Sequence, residues 1–296
     1  MPNLWRLHIR PYGGGNNDPA ASVNLCLDRS IIGMGWAVPD DGVRNSNDLN
    51  WFRGAANRQY QGDTGWRAVC TFAEQLQLGD LVWFRSLEGR YYLAVVKGPW
   101  QYSYEDENAI SVDIVNFREV RVIDVGLADA VPGKIIACFR PSRTLQRINS
   151  PGMLLFSKKL AGMLVNEDKI HDIFEFMSDK DIEDIVFMYL QFLGWYVVPN
   201  TRTATTAHYE FVLINRESCK RATVQVKSGH TPINAGQYSG QDTAFLFATS
   251  EKYGDKIPQN VKIIDKKKLL TFMQKNPQLL PRAANTWIEI AGHLEI

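Results

Sequence analysis

Four residues in the second half of the chain, Glu183, Glu210, Gln225 and Lys227, have side chains suited to phosphodiester hydrolysis. A hard divalent cation such as Mg²⁺ or Mn²⁺ takes oxygen ligands, usually one or two of them carboxylates. Glu210 offers a carboxylate, Gln225 a neutral side-chain oxygen, Val226 its backbone carbonyl, and Glu183 a further contact. A metal held there would acidify a bound water and neutralise charge on the scissile phosphate. Lys227, a point cation with three donors, suits orienting that water or stabilising the developing negative charge. Glu210 lies inside an apolar run, where an ionised group is costly unless it is paired or metal-bound.

The elements that must position these groups are a helix and two strands. Ser178, with Asp181 three residues on, predicts a capped helix start. Ile182, Ile185, Val186, Tyr189, Leu190 and Leu193 recur at helical spacing, and Gly194 is a natural stop. Tyr209-Glu210-Phe211-Val212-Leu213-Ile214 is too short for a helix and rich in strand formers. Thr223 to Lys227 alternates with period two, which puts Gln225 and Lys227 on one face and Val224 and Val226 on the other. A hairpin between the runs, with Ile214 near Ala222 and Glu210 near Val226, would bring Glu210 beside Gln225 and Lys227.

This order of residues resembles the PD-(D/E)xK nuclease superfamily, and most closely its Mrr-type restriction endonuclease branch, in which the second acidic position is often Gln. The similarity covers about Asp168 to Gln274. It includes the Glu183 helix, Gly194-Trp195-Tyr196-Val197, Gln225-Val226-Lys227, the strand Ala244 to Ser250, and Val261-Lys262-Ile263-Ile264-Asp265 opening a last helix. Glu210 stands where the family usually has Asp, one methylene shorter. The resemblance implies a restriction-endonuclease-like αβ core with a mixed sheet, a divalent-metal cofactor and cleavage of the DNA backbone.

The first half reads as β-rich. Strands are expected at Leu4 to Arg10, Ile31 to Trp36, Leu81 to Arg85, Arg90 to Val96, Ser111 to Arg118, Arg121 to Val125 and Ile135 to Arg140, with a short helix within Thr71 to Leu78. Gly98-Pro99-Trp100 is expected to break its strand. Gly13-Gly14-Gly15 is a loop but not a phosphate loop, since no Gly-Lys-Ser/Thr follows. Six of the 8 Trp residues fall here: Trp5, Trp36, Trp51, Trp66, Trp83 and Trp100. Aromatic rings can stack on an extruded base and form a pocket that reads its edge. Ile31 to Trp36, the Gly79-Asp80 turn and Tyr92 to Gly98 resemble a PUA-superfamily barrel of the EVE-like kind. That resemblance implies a reader of modified bases, with Trp36 as the leading pocket wall and Trp51, Trp66 and Trp100 behind it. Trp5 and Trp83 are expected in the core, and Asp80 in a turn.

Together these readings give an α/β chain of two domains: a PUA/EVE-like β-barrel at 1–148, a linker with a connecting helix at 149–166, and the nuclease domain at 167–296. The length of 296 residues and 45% hydrophobic content suffice for two cores. Among residues 1–296 no run of about eighteen apolar residues occurs, and Met1 to Arg10 has no apolar signal core. Cys26, Cys70, Cys138 and Cys219 are scattered without a CxxC pair, which suits a reducing cytoplasm and argues against a zinc site. A net charge of +1 does not advertise a nucleic-acid binder, so contacts must come from local patches such as Arg140, Arg143 and Arg147 or Lys266-Lys267-Lys268. The expected activity is that of a modification-dependent, type IV-like restriction endonuclease acting on double-stranded DNA that carries a modified base. A homodimer is expected, since cutting both strands needs two centres. The alternatives are an RNA-directed nuclease and an inactive binding protein with a nuclease fold. Trp287-Ile288-Glu289-Ile290 is expected as a terminal strand or subunit contact.

Overall fold

The computed structural model describes residues 2–9, 18–164, 172–203 and 208–292. The glycine loop at 13–15 and the opening of the expected nuclease domain at 167–171 lie outside them. The chain gathers into two compact units, Met1–Val131 with Ile135–Leu164 and Pro132–Lys134 with Val165–Ile296. Each contains a mixed sheet flanked by helices.

Elements are numbered along the chain. The first unit contains β1 (Leu4–Leu7), α1 (Pro19–Asp28), β2 (Ile31–Met34), β3 (Asn45–Ser46), α2 (Leu49–Gln59), α3 (Arg67–Glu74), β4 (Leu81–Arg85), β5 (Tyr91–Ser103), α4 (Glu107–Ser111) and β6 (Asn116–Gly126). Then come α5 (Gly133–Cys138), whose first residues group with the second unit, β7 (Leu145–Arg147) and α6 (Pro151–Leu160). The strand order is β2-β6-β5-β4-β1-β7, with β3 beside β5. β1 and β4 run parallel, and the other neighbours run antiparallel.

The expected closed barrel is not formed. β2 pairs with β6 and β7 with β1, and among the described residues no pairing joins these two ends of the path. Helices α1, α2 and α3 instead bury their apolar faces against the open sheet: Val23 and Cys26, Phe52, Ala55 and Ala56, and Val69, Cys70 and Phe72 share one core with Trp5, Leu7, Val82, Phe84 and Val96. The opposite face is covered by α6, where Ser157 Oγ accepts from the buried Trp83 Nε1 at 2.9 Å. Asp80 is a turn anchor, 1% exposed, accepting from Asn3 N at 2.7 Å, Trp5 Nε1 at 2.9 Å and Gln77 N at 3.1 Å.

Three strand assignments in this half differ from expectation. Ser111 closes α4, and the two strands expected at Ser111 to Arg118 and Arg121 to Val125 are one strand, β6, that begins at Asn116. Gly98-Pro99-Trp100 does not end β5, because the register shift between Val96 and Trp100 absorbs the proline in a bulge and pairing with β6 resumes at Trp100. Ile135 to Cys138 belong to helix α5, which opens after Pro132, buries Ile135 and ends just before the buried Phe139.

The second unit contains α7 (Asp179–Phe192), β8 (Trp195–Val197), β9 (Phe211–Asn215), β10 (Arg221–Lys227), β11 (Ala244–Ala248), β12 (Val261–Ile263), α8 (Lys266–Lys275) and α9 (Arg282–Ala291). Its strands lie in the order β12-β11-β10-β9-β8, so β10 is central, antiparallel to β9 and parallel to β11. Ser178 and Asp181 cap α7 reciprocally, and Ile182, Ile185, Val186 and Leu190 form its buried stripe. On β11 alternation sends Ala244, Leu246 and Ala248 into a core with Ile233, Ala235 and Tyr238, while Phe247 turns the other way and meets Phe174 at 5.7 Å. The expected terminal strand at Trp287 is helix α9. Ala283, Ala284, Trp287, Ile290 and Ala291 are its buried residues, at helical spacing.

Candidate active site

The site grows from the end of the β9/β10 hairpin. The observed register pairs Ile214 with Arg221 and Phe211 with Val224, one residue away from the expected pairing of Ile214 with Ala222. That single step matters, because side chains facing each other across an antiparallel pair share a face. The expected register would have set Glu210 against Val226. In the observed one Glu210 precedes the first paired residue of β9, and its amide donates to the Val224 carbonyl at 2.7 Å.

Glu210 thereby reaches the face of Gln225 and Lys227. Its Oε1 accepts from Gln225 Nε2 at 2.7 Å and from Lys227 Nζ at 3.4 Å. Gln225 Nε2 also lies 3.3 Å from the Val226 carbonyl oxygen. Thr223 and Lys227 direct backbone groups toward β11, whereas Val224 accepts from the β9 side. By that alternation the Val226 carbonyl faces the side on which β9 has ended and Glu210 stands. Three side chains and one carbonyl thus converge.

Glu183 comes from α7, which packs on the face of β10 opposite to Gln225. Its carboxylate is held by Lys180 Nζ at 2.6 Å, an i,i+3 pair within the helix. Burial pushes the Glu183 carboxyl above its ordinary range, Lys180 pulls it back, and the charge of Glu210 pushes it up again. Among the described residues no hydrogen bond joins the two carboxylates. Sequence reasoning missed Lys180; its signal was the three-residue spacing to Glu183. It also missed Ser228, whose Oγ donates to Asp179 and ties the exit of β10 to the start of α7.

Gln225 bears most directly on metal binding. It is 1% exposed, and among the described residues its Oε1 has no hydrogen-bond partner while its amide nitrogen faces Glu210. An orphaned buried acceptor costs roughly 1–3 kcal/mol. Turning the amide over would set that oxygen beside Glu210 and the Val226 carbonyl, an arrangement favourable only with a cation among them. The donor set suits Mg²⁺ or Mn²⁺. Among the described residues no group of three His, Cys, Asp or Glu forms a metal cluster, and this donor set differs from one by using an amide and a carbonyl.

Asp181, two residues before Glu183 in α7, gives a test of the local electrostatics. It accepts from Gly133 N at 2.7 Å. Burial raises its pKa from 3.8 to about 6, against the opposing hydrogen bonds from Gly133 and Ser178. A folded-state value above the unfolded one means that the native state binds more protons between about pH 4 and 6, so stability from this group falls as pH rises through that window. In chelator, the wild type is expected to lose stability across that window relative to Asp181→Asn. Urea unfolding at several pH values measures this, and parallel curves would refute the assignment.

The four tryptophans expected to line a base pocket do not act as a set. Trp66 and Trp100 are core residues, 7% and 4% exposed, and Trp100 Nε1 donates to Asn116 Oδ1 at 3.3 Å. This corrects their expected role, since enclosed rings have no free face to offer a base. Trp36 and Trp51 are half-buried. Trp36 has φ +69°, meets Tyr60 edge-on at 5.0 Å, and lies so close to Gly65 that a Cβ there would fall 2.6 Å from its ring. Trp51 donates through Nε1 to Asp41 at 2.5 Å.

Comparison with protein-family models, with curated proteins and with solved structures gives no significant match. The functional reading therefore rests on this geometry.

Proposed function

We propose that the second unit is a divalent-metal-dependent endodeoxyribonuclease, and that the first unit directs it to DNA carrying a modified base, in the manner of a type IV-like restriction enzyme. The observation that carries the reading is the shared contact of Glu210 Oε1 with Gln225 Nε2 and Lys227 Nζ, made by an amide whose oxygen has no partner among the described residues as it is now turned. Glu210, Gln225 and the Val226 carbonyl would hold Mg²⁺ or Mn²⁺, with Glu183 of α7 as a further contact from the other face of β10, and the ion when bound supplies an acidified water and charge neutralisation.

Lys227 is about one-third exposed, so its ammonium can reach a phosphoryl oxygen without leaving Glu210. Its charge then opposes the negative charge that builds as the phosphorus–oxygen bond breaks. Such a centre contacts backbone and reads little sequence, so targeting has to come from another module. Trp36 and Trp51 support a base-reading role because, unlike Trp66 and Trp100, each is only half-buried. Two centres are needed to cut both strands, which favours a homodimer.

Cleavage assays with Mg²⁺ or chelator, on duplexes differing only in base modification and on matched RNA, test the reading. Trp36→Ala is expected to remove the preference for modified over unmodified DNA while leaving basal cutting in place. Equal preference before and after would take Trp36 out of the reader, and cutting of RNA alone would replace the substrate.

A further inference from the structure

We infer that the first unit carries an oxyanion-binding cavity at the carboxyl ends of β1 and β4, with Arg85 as its principal ligand and a phosphate group as its occupant. The inference is independent of the cleavage centre, which belongs to the other unit.

The cavity is lined by His8, Ile9, Val23, Arg85, Ser86, Leu87 and Gly89 and has a volume of about 120 Å³. That is room for a tetrahedral oxyanion, and it falls below the several hundred Å³ typical of pockets for larger organic ligands. Its position follows from the sheet. β1 and β4 are parallel, with Arg6 opposite Trp83, and His8 and Arg85, each two residues further along, both line the cavity. Crevices outside the carboxyl ends of parallel strands are favoured places for ligands.

The charge at this end of the sheet is built around one ring. The Arg85 guanidinium lies 5.2 Å from the centroid of Phe139, the Arg6 guanidinium lies 5.8 Å from it, and His8 meets it edge-on at 5.4 Å. Arg6 directs its donors to Thr144 O at 3.4 Å and Gln146 Oε1 at 2.8 Å, as well as to Arg143 O. His8 Nε2 lies 3.0 Å from Pro141 O, so it donates and the ring stays fixed.

Arg85 differs from both. Among the described residues it has no hydrogen-bond or ion-pair partner, and only the aromatic face positions it. A guanidinium held this way keeps its planar fork available for the bidentate contact that phosphate oxygens make. Two carboxylates oppose an anion here: Glu88, which is on the same turn and accepts from Ser86, and Asp18, which Glu88 senses. Neither lines the cavity, and Asp18 is occupied in capping α1 through Ala20 N at 2.8 Å.

A phosphate group could arrive on a DNA backbone or as a free anion, and the test separates them. The full chain and its Arg85→Gln and Arg85→Lys variants are titrated in chelator with inorganic phosphate by calorimetry, and with an unmodified duplex by fluorescence anisotropy at several salt concentrations. Arg85→Gln is expected to weaken binding about tenfold, the loss of one charge-assisted contact, while Arg85→Lys keeps the charge and recovers part of it. A loss on duplex, with a salt slope smaller by about one ion, identifies a backbone phosphate. A loss confined to inorganic phosphate identifies a free-anion site. Unchanged affinity for both in both variants overturns the inference. Chelator silences the proposed cleavage centre, so failure here leaves that reading standing, and loss of cleavage elsewhere leaves this one.

Discussion

Replacing Lys227 with Ala is expected to lower Mg²⁺-dependent cleavage by about a hundredfold or more, the usual consequence of removing one preorganised group that stabilises transition-state charge. Duplex affinity should change by no more than about twofold, because a single partly exposed cation contributes little to ground-state binding in salt. The split arises from where the ammonium stands. Lys227 Nζ is 3.4 Å from Glu210 Oε1 and about one-third exposed, so it is anchored on one side and open on the other. Single-turnover cleavage read beside anisotropy binding separates the two effects. Unchanged cutting by Lys227→Ala would sink the nuclease assignment, whereas a parallel fall in binding would make Lys227 a docking residue.

The second unit was legible because its signals are local. A Ser-x-x-Asp cap, apolar residues at helical spacing and a period-two strand specify α7 and β10 without reference to anything distant. The register of the hairpin was not legible to one residue. It is fixed by where the β9–β10 turn closes, with Asn215 Oδ1 accepting from Ser218 N at 2.9 Å and Asn215 N donating to Lys220 O at 2.9 Å.

In the first unit the strand formers were visible, but the helices α1 and α2 were overlooked. Each is announced by an aspartate cap: Asp18 before Pro19, and Asp48 before a stripe of Phe52, Ala55 and Ala56. With those helices unrecognised, a barrel was the natural way to bury so many strands, and their presence is why the sheet stays open. The excess of tryptophan was read as a pocket because composition cannot tell an enclosed ring from a half-open one. Only packing distinguishes Trp100, which sits among Phe52, Tyr102 and Asn116, from Trp36. Likewise nothing in the spacing of His8 and Arg85 shows them to be neighbours, since 77 residues and a parallel pairing separate them.

Gln225→Glu carries the other large expected effect, and its direction follows from the orphaned oxygen. Gln and Glu have nearly the same shape, so the backbone of β10 need not adjust. In the metal-free protein the exchange removes the donor that Glu210 accepts from at 2.7 Å and sets a second carboxylate against the first. Like charges in a site that is 1% exposed at position 225 cannot both ionise cheaply, so the variant in chelator should melt below the wild type. With Mg²⁺ the same pair becomes a stronger ligand set. An affinity gain of about tenfold, roughly 1.4 kcal/mol, widens the Mg²⁺-induced rise in Tm by about 3–6 °C when metal is well above Kd. Gln225→Leu removes the oxygen altogether, and its Mg²⁺-induced rise should vanish. Thermal unfolding in chelator and in Mg²⁺ distinguishes the three proteins without any assay of cutting. If all three respond to Mg²⁺ alike, the oxygen of Gln225 does not face a cation, and the convergence at Glu210 is a structural hydrogen-bond network and not a metal site.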